Sequence, residues 1–368
     1  MIWRKKTTLF ILVLAVTCGH VQADYIFGEP VNLGPTVNSS AEEWGVSLSA
    51  DGLSLYFSSK RAGGEGKNDI WVSTRATKED AWGSPVNLGL PINSSAIEAY
   101  PCISADGLEL YLNDHPFGAL PGSLGMGDIW VARRTTVSDP WGSLVNLGSI
   151  INTSEADVSP CLSADGLSLY FASSWPKDTL SLDWDLYVTT RLTRSDPWLE
   201  PVNLGPTING VNGTPLNYCP TISADERLFI FSSNRFGGSG GQDLWVTTRA
   251  MRDDPWSEAV NLGAAINSWK WEVEAEISPD GRSLLFCSNR YGGHGNYDIY
   301  EASIEPILDF NGDGHVDCLD ICDLVAHWRT DDSLYDIGPM PWGDGIVDEK
   351  DLVVLAEHMV EISDANGL

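Results

Sequence analysis

Near the C-terminus, oxygen-bearing side chains recur at the spacing of a calcium-binding loop. Residues 309–320 place a carboxylate or an amide at loop positions one, three, five, nine and twelve, and Gly314 stands at the sharp turn. The residue at position seven supplies its backbone carbonyl. Because calcium takes six to eight hard oxygen ligands, this spacing predicts a Ca²⁺ site. The predicted ligands are Asp309, Asn311, Asp313, His315, Asp317 and Asp320.

A second and less regular copy of this pattern follows. Residues 344–351 repeat its later half, but Met340 and Trp342 occupy positions one and three, where oxygen ligands are expected. We therefore expect Asp336 to reach the ion across an insertion. The predicted ligands of this second Ca²⁺ site are Asp336, Asp344, Ile346, Asp348 and Asp351.

Two such loops, each followed by one predicted helix, resemble a type I dockerin. The resemblance implies a small α-helical domain over residues 305–368 that binds two calcium ions and docks onto a cohesin-like domain of a scaffold or surface protein. The positions that contact the cohesin in that family are Cys318-Leu319 and Glu349-Lys350 here. They differ from each other and from the familiar Ser-Thr pair, so they do not identify the partner.

The rest of the chain is built from five repeats of 55 to 60 residues, each marked by Ser-Ala-Asp-Gly or a near copy. Every unit has a short apolar stretch, a turn that is Asp-Gly in all but the fourth unit, an alternating run, a loop that is Gly-rich in three units, and a stretch such as Asp-Ile-Trp-Val. All but the last then continue into Val-Asn-Leu-Gly. These are four short strands, a to d, which is the pattern of a propeller blade. The Asp residues of the turns are Asp51, Asp106, Asp165, Asp225 and Asp280.

The strand count predicts how the ring closes. The last unit lacks strand d, and the missing copy stands at residues 27–34, before the first strand a. The sequence thus predicts an all-β, five-bladed β-propeller over residues 24–304, closed by its N-terminal strand. The repeat resembles the WD40-like (PD40) repeats of TolB and of many exported bacterial proteins, through Pro-x-Ile-Ser-Ala/Pro-Asp-Gly, Ser-Asn-Arg and Asp-Ile-Trp/Tyr. That resemblance implies a fold used by binding scaffolds and enzymes alike.

One position just before strand a is acidic in four of the five blades. Because strand a is innermost, these residues are expected near the axis, where they could hold a cation or supply an acid catalyst. The alternative is a scaffold role, in which each residue hydrogen-bonds a neighbouring loop. The catalytic candidates are Glu43, Glu98, Asp157 and Glu272, and Asn217 takes the fifth place.

Departures from the repeat are the second source of candidate sites. Arg61, Arg235 and Arg290 recur in three blades and are expected to pair with the Asp before strand c. Tryptophans outside the repeated positions could stack on sugar rings, or could simply pack the longer loops. With the histidine of a rewritten loop, the candidate ligand-binding residues are Trp44, His115, Trp175, Trp184, Trp269 and Trp271.

Charge and the N-terminus limit the partners. The chain has 22 basic and 51 acidic residues, a net charge of −29, which argues against nucleic-acid and membrane-surface partners. Residues 1–23 have the basic start, apolar run and small-residue ending of a signal peptide. We therefore expect a secreted, extracellular protein, with a cell-surface or periplasmic location as the alternative.

Cys102 and Cys161 lie at equivalent strand positions and are either bridged or buried free thiols.

Three functions fit these observations. The leading hypothesis is a non-catalytic propeller that binds a glycan or another extracellular partner and is tethered through the dockerin-like module, in a setting of polysaccharide degradation. The first alternative is a glycoside hydrolase that uses the axial carboxylates. The second is a platform for protein–protein interaction.

Overall fold

A computed structural model describes residues 25–115, 119–174, 184–210, 215–249, 251–306, 308–311, 316–330, 335–338 and 346–365. The predicted signal peptide, Trp175, Asp313, His315 and Asp344 lie outside the described residues.

Five antiparallel sheets follow one another along the chain. Blade one contains β3 (Glu43–Leu48), β4 (Ser54–Ser59), β5 (Asp69–Thr74) and β6 (Val86–Asn87). Blade two contains β7 (Ala99–Ile103), β8 (Glu109–Asn113), β9 (Ile129–Arg133) and β10 (Val145–Asn146). Blade three contains β11 (Asp157–Leu162), β12 (Ser168–Ser173), β13 (Asp185–Thr190) and β14 (Val202–Asn203). Blade four contains β15 (Asn217–Ile222), β16 (Leu228–Ser233), β17 (Asp243–Thr248) and β18 (Val260–Asn261).

The fifth blade joins the two ends of the propeller. It contains β19 (Glu272–Ile277), β20 (Ser283–Ser288) and β21 (Asp298–Pro306), and its outer strands are β1 (Tyr25–Phe27) and β2 (Val31–Asn32). Strand β2 pairs Val31 with Glu301, in the register that strand d has in every other blade. The predicted five-bladed propeller with N-terminal closure is therefore confirmed. Strand β1 pairs with the far end of β21, so the sheet continues through Pro306.

Apolar side chains fill the spaces between adjacent blades. Between blades five and one, for example, Leu55 and Phe57 pack with Leu285 and Ile299, and all four are fully buried or nearly so. Similar clusters lie at the other four seams. The innermost strands contact one another around the whole ring. Burial of these faces is the main stabilising term of the propeller.

Every innermost strand carries an irregularity that the sequence did not predict. The register with the neighbouring strand shifts at the same place in each blade, as a β-bulge does. At that place one residue has φ between 50° and 60°. Only one of the five is a glycine, although this conformation is unfavourable for other residues. The five residues are Gly45, Tyr100, Ser159, Cys219 and Glu274.

The helices are few. Single turns α1 (Pro206–Asn209) and α2 (Gly263–Ile266) precede the inner strands of blades four and five. The C-terminal segment holds α3 (Cys318–Ala326) and α4 (Glu349–Ala365), as the two predicted helices require. Leu324, Val347 and Leu355 form part of a small core between them. No helix in the described ranges is long and apolar enough to cross a membrane.

Candidate functional site

The carboxylates before strand a are clamps for the loop that enters each blade. Both oxygens of Glu43 accept hydrogen bonds, from the Ser39 N–H at 2.9 Å and the Ser39 hydroxyl at 2.6 Å. The Ser59 hydroxyl and the Arg61 guanidinium donate to the same group, each at 2.9 Å. The side chain has no exposed surface. A group that transfers a proton to substrate must touch it, and Glu43 is enclosed by its own blade.

The same arrangement is present in blades two, three and five. Glu98, Asp157 and Glu272 are also fully buried, and each accepts bonds from a Ser or Thr four residues earlier. Burial raises the pKa of Glu98 and of Asp157. These carboxylates do not line the cavity on the propeller axis. The structure therefore places the four catalytic candidates in separate loop clamps.

The recurring arginines have different partners from those expected. Arg61 and Arg290 pair with Glu43 and Glu272, and Arg235 donates to the Asn217 side chain at 2.9 Å. The Asp before strand c instead accepts from the asparagine of strand d, as the Asn87 amide donates to Asp69 at 2.9 Å. The expected Arg–Asp pairing is wrong because the strand d asparagine and the N–H groups of the loop already occupy that carboxylate.

Two further carboxylates, which were not predicted from the sequence, lie on the propeller axis. Glu274 and Glu276 of blade five line a cavity of about 30 Å³. Glu274 accepts from the Gly45 N–H, and Glu276 accepts from the Leu48 N–H at 3.3 Å, both across the closing seam. Burial raises the pKa of each to about 7. In the sequence, these two glutamates are recognisable as a break in the repeat, since the other blades have no acid at either position.

The predicted tryptophans fall into two groups. Trp44 is half-buried against Tyr297, with ring centroids 3.9 Å apart, and Trp184 is half-buried against Tyr218 at 5.0 Å. These two pack their loops. Trp269 and Trp271 are exposed, with 62% and 44% of their surface accessible. His115 is half-buried, and burial lowers its pKa.

The exposed tryptophans belong to an aromatic surface on blade five, formed by Trp269, Trp271 and Tyr291, and Phe236 is the exposed counterpart of Tyr291 in blade four. The Trp269 and Tyr291 rings are 5.2 Å apart, and the Lys270 ammonium lies 4.5 Å from the first and 4.7 Å from the second. Phe236 and Tyr291 are 103% and 76% exposed and follow the recurring arginine in their blades. They were not among the predicted residues, although the equivalent residue of blade one is only an alanine.

The first predicted calcium loop leads into α3 through two of its predicted ligands. Asp317 caps the helix and Asp320 completes a capping box. Asp320 is fully buried and accepts from the Phe310 N–H at 2.8 Å. Asp309 and Asn311 stand at the start of the loop. In the second loop, Asp351 is fully buried and accepts from the N–H groups of residues 338 and 348, each at 2.6 Å.

The donors of the second loop suit a hard cation. Asp336 is only 2% exposed. Burial raises the pKa of Asp351, and the charge of Asp336 adds to this rise. The Arg227 guanidinium lies 3.7 Å from Asp336 and partly compensates its charge, and a divalent cation would add to that compensation for the two buried carboxylates. The Ile346 side chain is exposed, and Asp348 lies at the start of α4. Among the described residues no three acidic, His or Cys side chains form a metal-binding group.

The cysteines were the residues whose disulfide state the sequence left open. Cys102, Cys161, Cys219 and Cys287 are buried and free, whereas Cys318 and Cys322 are exposed and free. The Cys102 sulfur accepts from the Leu162 N–H at 3.2 Å. Of the two alternatives for Cys102 and Cys161, the structure has free thiols.

Four four-stranded blades and a five-stranded blade that holds both N-terminal strands form a closed ring, which is followed by two helices. This defines the class as a five-bladed β-propeller with a small helical C-terminal segment. No protein-family model matches the sequence, and no curated protein matches it. Solved structures share its fold. BT0996, in a structure of an RGII complex, is 10% identical, with a TM-score of 0.51, covering 77% of this protein and 92% of that one.

Two other solved structures are also similar. A thermostable family-43 glycoside hydrolase is 12% identical, with a TM-score of 0.49, over 73% of this protein and 91% of that one. TolB from Acinetobacter baumannii is 13% identical, with a TM-score of 0.42, over 70% of this protein and 54% of that one. Glycoside hydrolases and TolB-type proteins are thus among its structural neighbours. At these identities the similarity shows the fold alone, so function has to be argued from the residues of this protein.

Proposed function

We propose that this protein is a secreted, non-catalytic propeller that binds a glycan at its aromatic surface and is tethered to a larger assembly by its C-terminal module. The observation that carries the proposal is the exposure of Trp269, Trp271 and Tyr291 together in the loops of blade five. Large aromatic side chains are normally covered, and an exposed group of them marks a binding surface.

A carbohydrate is the ligand that best suits this surface. Sugar rings present C–H faces that stack on aromatic rings, and their hydroxyls need polar neighbours. Lys270 supplies a donor between Trp269 and Tyr291. The backbone N–H of Trp271 donates to the Asn289 side chain at 3.0 Å, which fixes the loop that presents the ring. A loop held in place loses little conformational entropy on binding.

The non-catalytic assignment rests on the buried carboxylates. Glu43, Glu98, Asp157 and Glu272 have no accessible surface and are hydrogen-bonded within their own blades. A glycosidase needs two carboxyl groups facing one glycosidic bond. The glycoside hydrolase alternative therefore lacks a pair of exposed carboxylates at these positions.

The tether is proposed from the C-terminal residues. Asp309, Asn311, Asp317 and Asp320 would hold one Ca²⁺, together with Asp313 and His315 of the same loop, and the second loop would hold another through Asp336, Asp344, Ile346, Asp348 and Asp351. The loaded module would dock onto a cohesin-like domain, as the resemblance to type I dockerins implies. Export follows from the signal-like segment at residues 1–23. Bound calcium supplies rigidity to the loops and does no chemistry in this proposal.

Affinity electrophoresis of the mature protein through gels containing plant and algal polysaccharides tests the proposal. We expect retardation by at least one polysaccharide, weakened about fivefold or more in Trp269→Ala and Trp271→Ala, since stacking on one ring contributes roughly 0.5–1.5 kcal/mol beyond the area that it buries. Leu192→Ala, which changes another exposed apolar side chain at the opposite end of the blades, is the matched control. Retardation that both tryptophan variants retain contradicts the aromatic surface, and no retardation on any glycan favours a protein-interaction platform.

A further inference from the structure

We propose that the seam between blades two and three holds a second binding site, for a small organic monocarboxylate. A cavity of about 550 Å³ opens at this seam. Small-molecule sites have volumes of roughly 300–1,000 Å³, so the cavity is of a suitable size. Its lining includes the guanidinium groups of Arg133 and Arg194 and an apolar wall of Leu147, Ile150 and Trp198.

Two of these lining residues depart from the repeat. Other blades have a small polar residue in place of Arg133, namely Thr74, Thr190, Thr248 and Ser303. The residues equivalent to Ile150 are Thr36, Pro91, Thr207 and Ala265. A side chain needed only to build a blade should recur in every blade. Arg133 and Ile150 occur once, at the same cavity, which favours a local role.

A third departure holds the arginine in place. Glu109 stands where the other blades have a serine or a leucine, and it is only 8% exposed. One of its oxygens accepts from Arg133 Nε at 2.8 Å, and the other accepts from Arg191 at 2.9 Å. Glu109 therefore orients Arg133 through Nε alone. In the described part of the protein, the terminal Nη atoms of Arg133 have no hydrogen-bond partner, and its side chain is 52% exposed.

These open donors define the charge of the ligand. Two terminal nitrogens of one guanidinium form a planar fork that fits a carboxylate. Arg194 and Arg191 cannot offer the same fork, since their donors are used by Asp106, Glu109 and backbone carbonyls. Asp196 also lines the cavity and would repel a second negative charge. A monoanion is therefore favoured over a phosphate ester.

The apolar wall defines the body of the ligand. Ile150 is 43% exposed beside the half-buried Leu147, while Trp198 is covered by the Arg191 guanidinium at 4.3 Å from its ring. Ile150 and Arg133 both line the cavity, so a ligand there can meet an apolar side chain as well as the guanidinium. The aromatic surface lies on blade five, whereas this cavity lies at the seam of blades two and three. This site is therefore independent of the proposed glycan site.

Saturation-transfer NMR with benzoate as the probe tests this site on the mature protein. We expect benzoate to bind at millimolar concentration, and benzamide and phenyl phosphate to bind at least tenfold more weakly. Arg133→Thr, which installs the residue of three other blades, should weaken benzoate about tenfold or more, because a hydrogen-bonded charge pair is lost. Arg133→Lys should weaken it less, since the charge remains without the fork. Ile150→Thr should also weaken it.

The controls separate this site from general effects. Arg282→Thr removes the same charge from an exposed position of blade five and should leave benzoate binding unchanged. The melting temperature of Arg133→Thr should stay close to that of the wild type, because Glu109 keeps its hydrogen bonds from Arg191 and Tyr111. Equal binding of benzamide, stronger binding of phenyl phosphate, unchanged binding in Arg133→Thr, or no benzoate binding at all would each overturn the proposal.

Discussion

At the scale of single residues, the four acids of the inner strands show that residue type alone does not establish a catalytic role. Glu43, Glu98, Asp157 and Glu272 have the type of catalytic groups, but their oxygens accept bonds from loop N–H and hydroxyl groups. Glu98 stands just before its inner strand, and the other three acids are the first residues of theirs. A Ser or Thr four residues before each acid is the sequence signal that distinguishes a clamp from a catalytic group.

The clamp predicts a large loss of stability when its acid is removed. Glu43→Ala should lower the free energy of unfolding by about 3 kcal/mol, because it leaves Arg61 and the Ser39 and Ser59 donors without their buried acceptor. Chemical denaturation measures this value. Glu79→Ala, at an exposed loop position, should change it by less than about 0.5 kcal/mol. A loss below about 1 kcal/mol for Glu43→Ala would contradict the clamp.

The axial glutamates predict a pH-dependent stability. Burial raises the folded-state pKa of Glu276 from its ordinary 4.5 to about 7. The folded protein therefore retains a proton that the unfolded chain has lost, so stability falls as the pH rises from 4.5 to 7 and then levels off. Among the described residues, no basic side chain lines the cavity to offset the charge. The titratable groups that line it with Glu276 are Glu274, Tyr100, Cys102, Cys161 and Cys219.

Glu276→Gln should remove its share of this pH dependence. Relative to the wild type, the variant should gain about 3 kcal/mol between acidic and mildly alkaline conditions. Urea unfolding at a series of pH values measures the difference, and Glu79→Gln serves as the exposed control. A constant difference between Glu276→Gln and the wild type across this range is the result that would refute the raised pKa.

At the scale of elements, neighbouring blades are joined by ion pairs between a loop and a turn. The loop after strand c pairs with the Asp-Gly turn of the preceding blade through Lys78–Asp280 at 2.5 Å and Arg252–Asp165 at 2.6 Å. Arg194 pairs with Asp106 in the same way. In blade two the equivalent residue is Val137, so the turn of blade one lacks this partner. Sequence spacing alone did not show these pairs, because they join different repeats.

Val137→Arg should supply the missing pair. Val137 is 60% exposed, and an arginine there would face Asp51 as Arg194 faces Asp106. Because such pairs are exposed, the expected gain is only about 0.5 kcal/mol at low salt, and it should fade at high salt. Thermal unfolding at two salt concentrations measures it, with Val137→Gln as the uncharged control. An equal gain in both variants would show that the charge is not responsible.

The sequence predicted regular elements better than irregular ones. Alternating apolar residues and Asp-Gly turns specify the four strands of each blade, and the count of strand d specifies the closure by residues 31–32. The bulge in each inner strand has no such pattern, since Tyr100, Ser159, Cys219 and Glu274 are not residues that favour positive φ. Tertiary packing around the axis imposes that conformation. The aromatic surface was predicted in part: Trp269 and Trp271 are recognisable as breaks in the repeat, whereas Tyr291 stands directly after a repeated arginine and was missed.

At the scale of the whole molecule, the propeller and the C-terminal segment have different sources of stability. The propeller has five apolar seams, whereas the core around α3 and α4 is one small cluster. Below about 70 residues an apolar core is usually supplemented, for example by a bound metal. The buried carboxylates Asp320 and Asp351 fit this role for calcium.

Calcium should therefore stabilise the C-terminal segment selectively. We expect calorimetry to show two transitions, and excess Ca²⁺ at about 100 times its dissociation constant should stabilise only the smaller one, by about 2.7 kcal/mol. EGTA should reverse the effect, and Mg²⁺ should not replace Ca²⁺. Asp313→Ala should reduce the shift. A smaller transition that does not respond to Ca²⁺ would contradict the predicted sites.

The propeller as a whole is proposed to bind a glycan without cleaving it. The most direct measurement is the release of reducing ends from plant and algal polysaccharides that retard the mature protein in affinity gels. We expect no release above the level of the buffer, because the candidate carboxylates are buried in loop clamps. Release by the wild type that is lost in Asp157→Asn or Glu98→Gln, with folding intact, would contradict this proposal and identify a glycoside hydrolase.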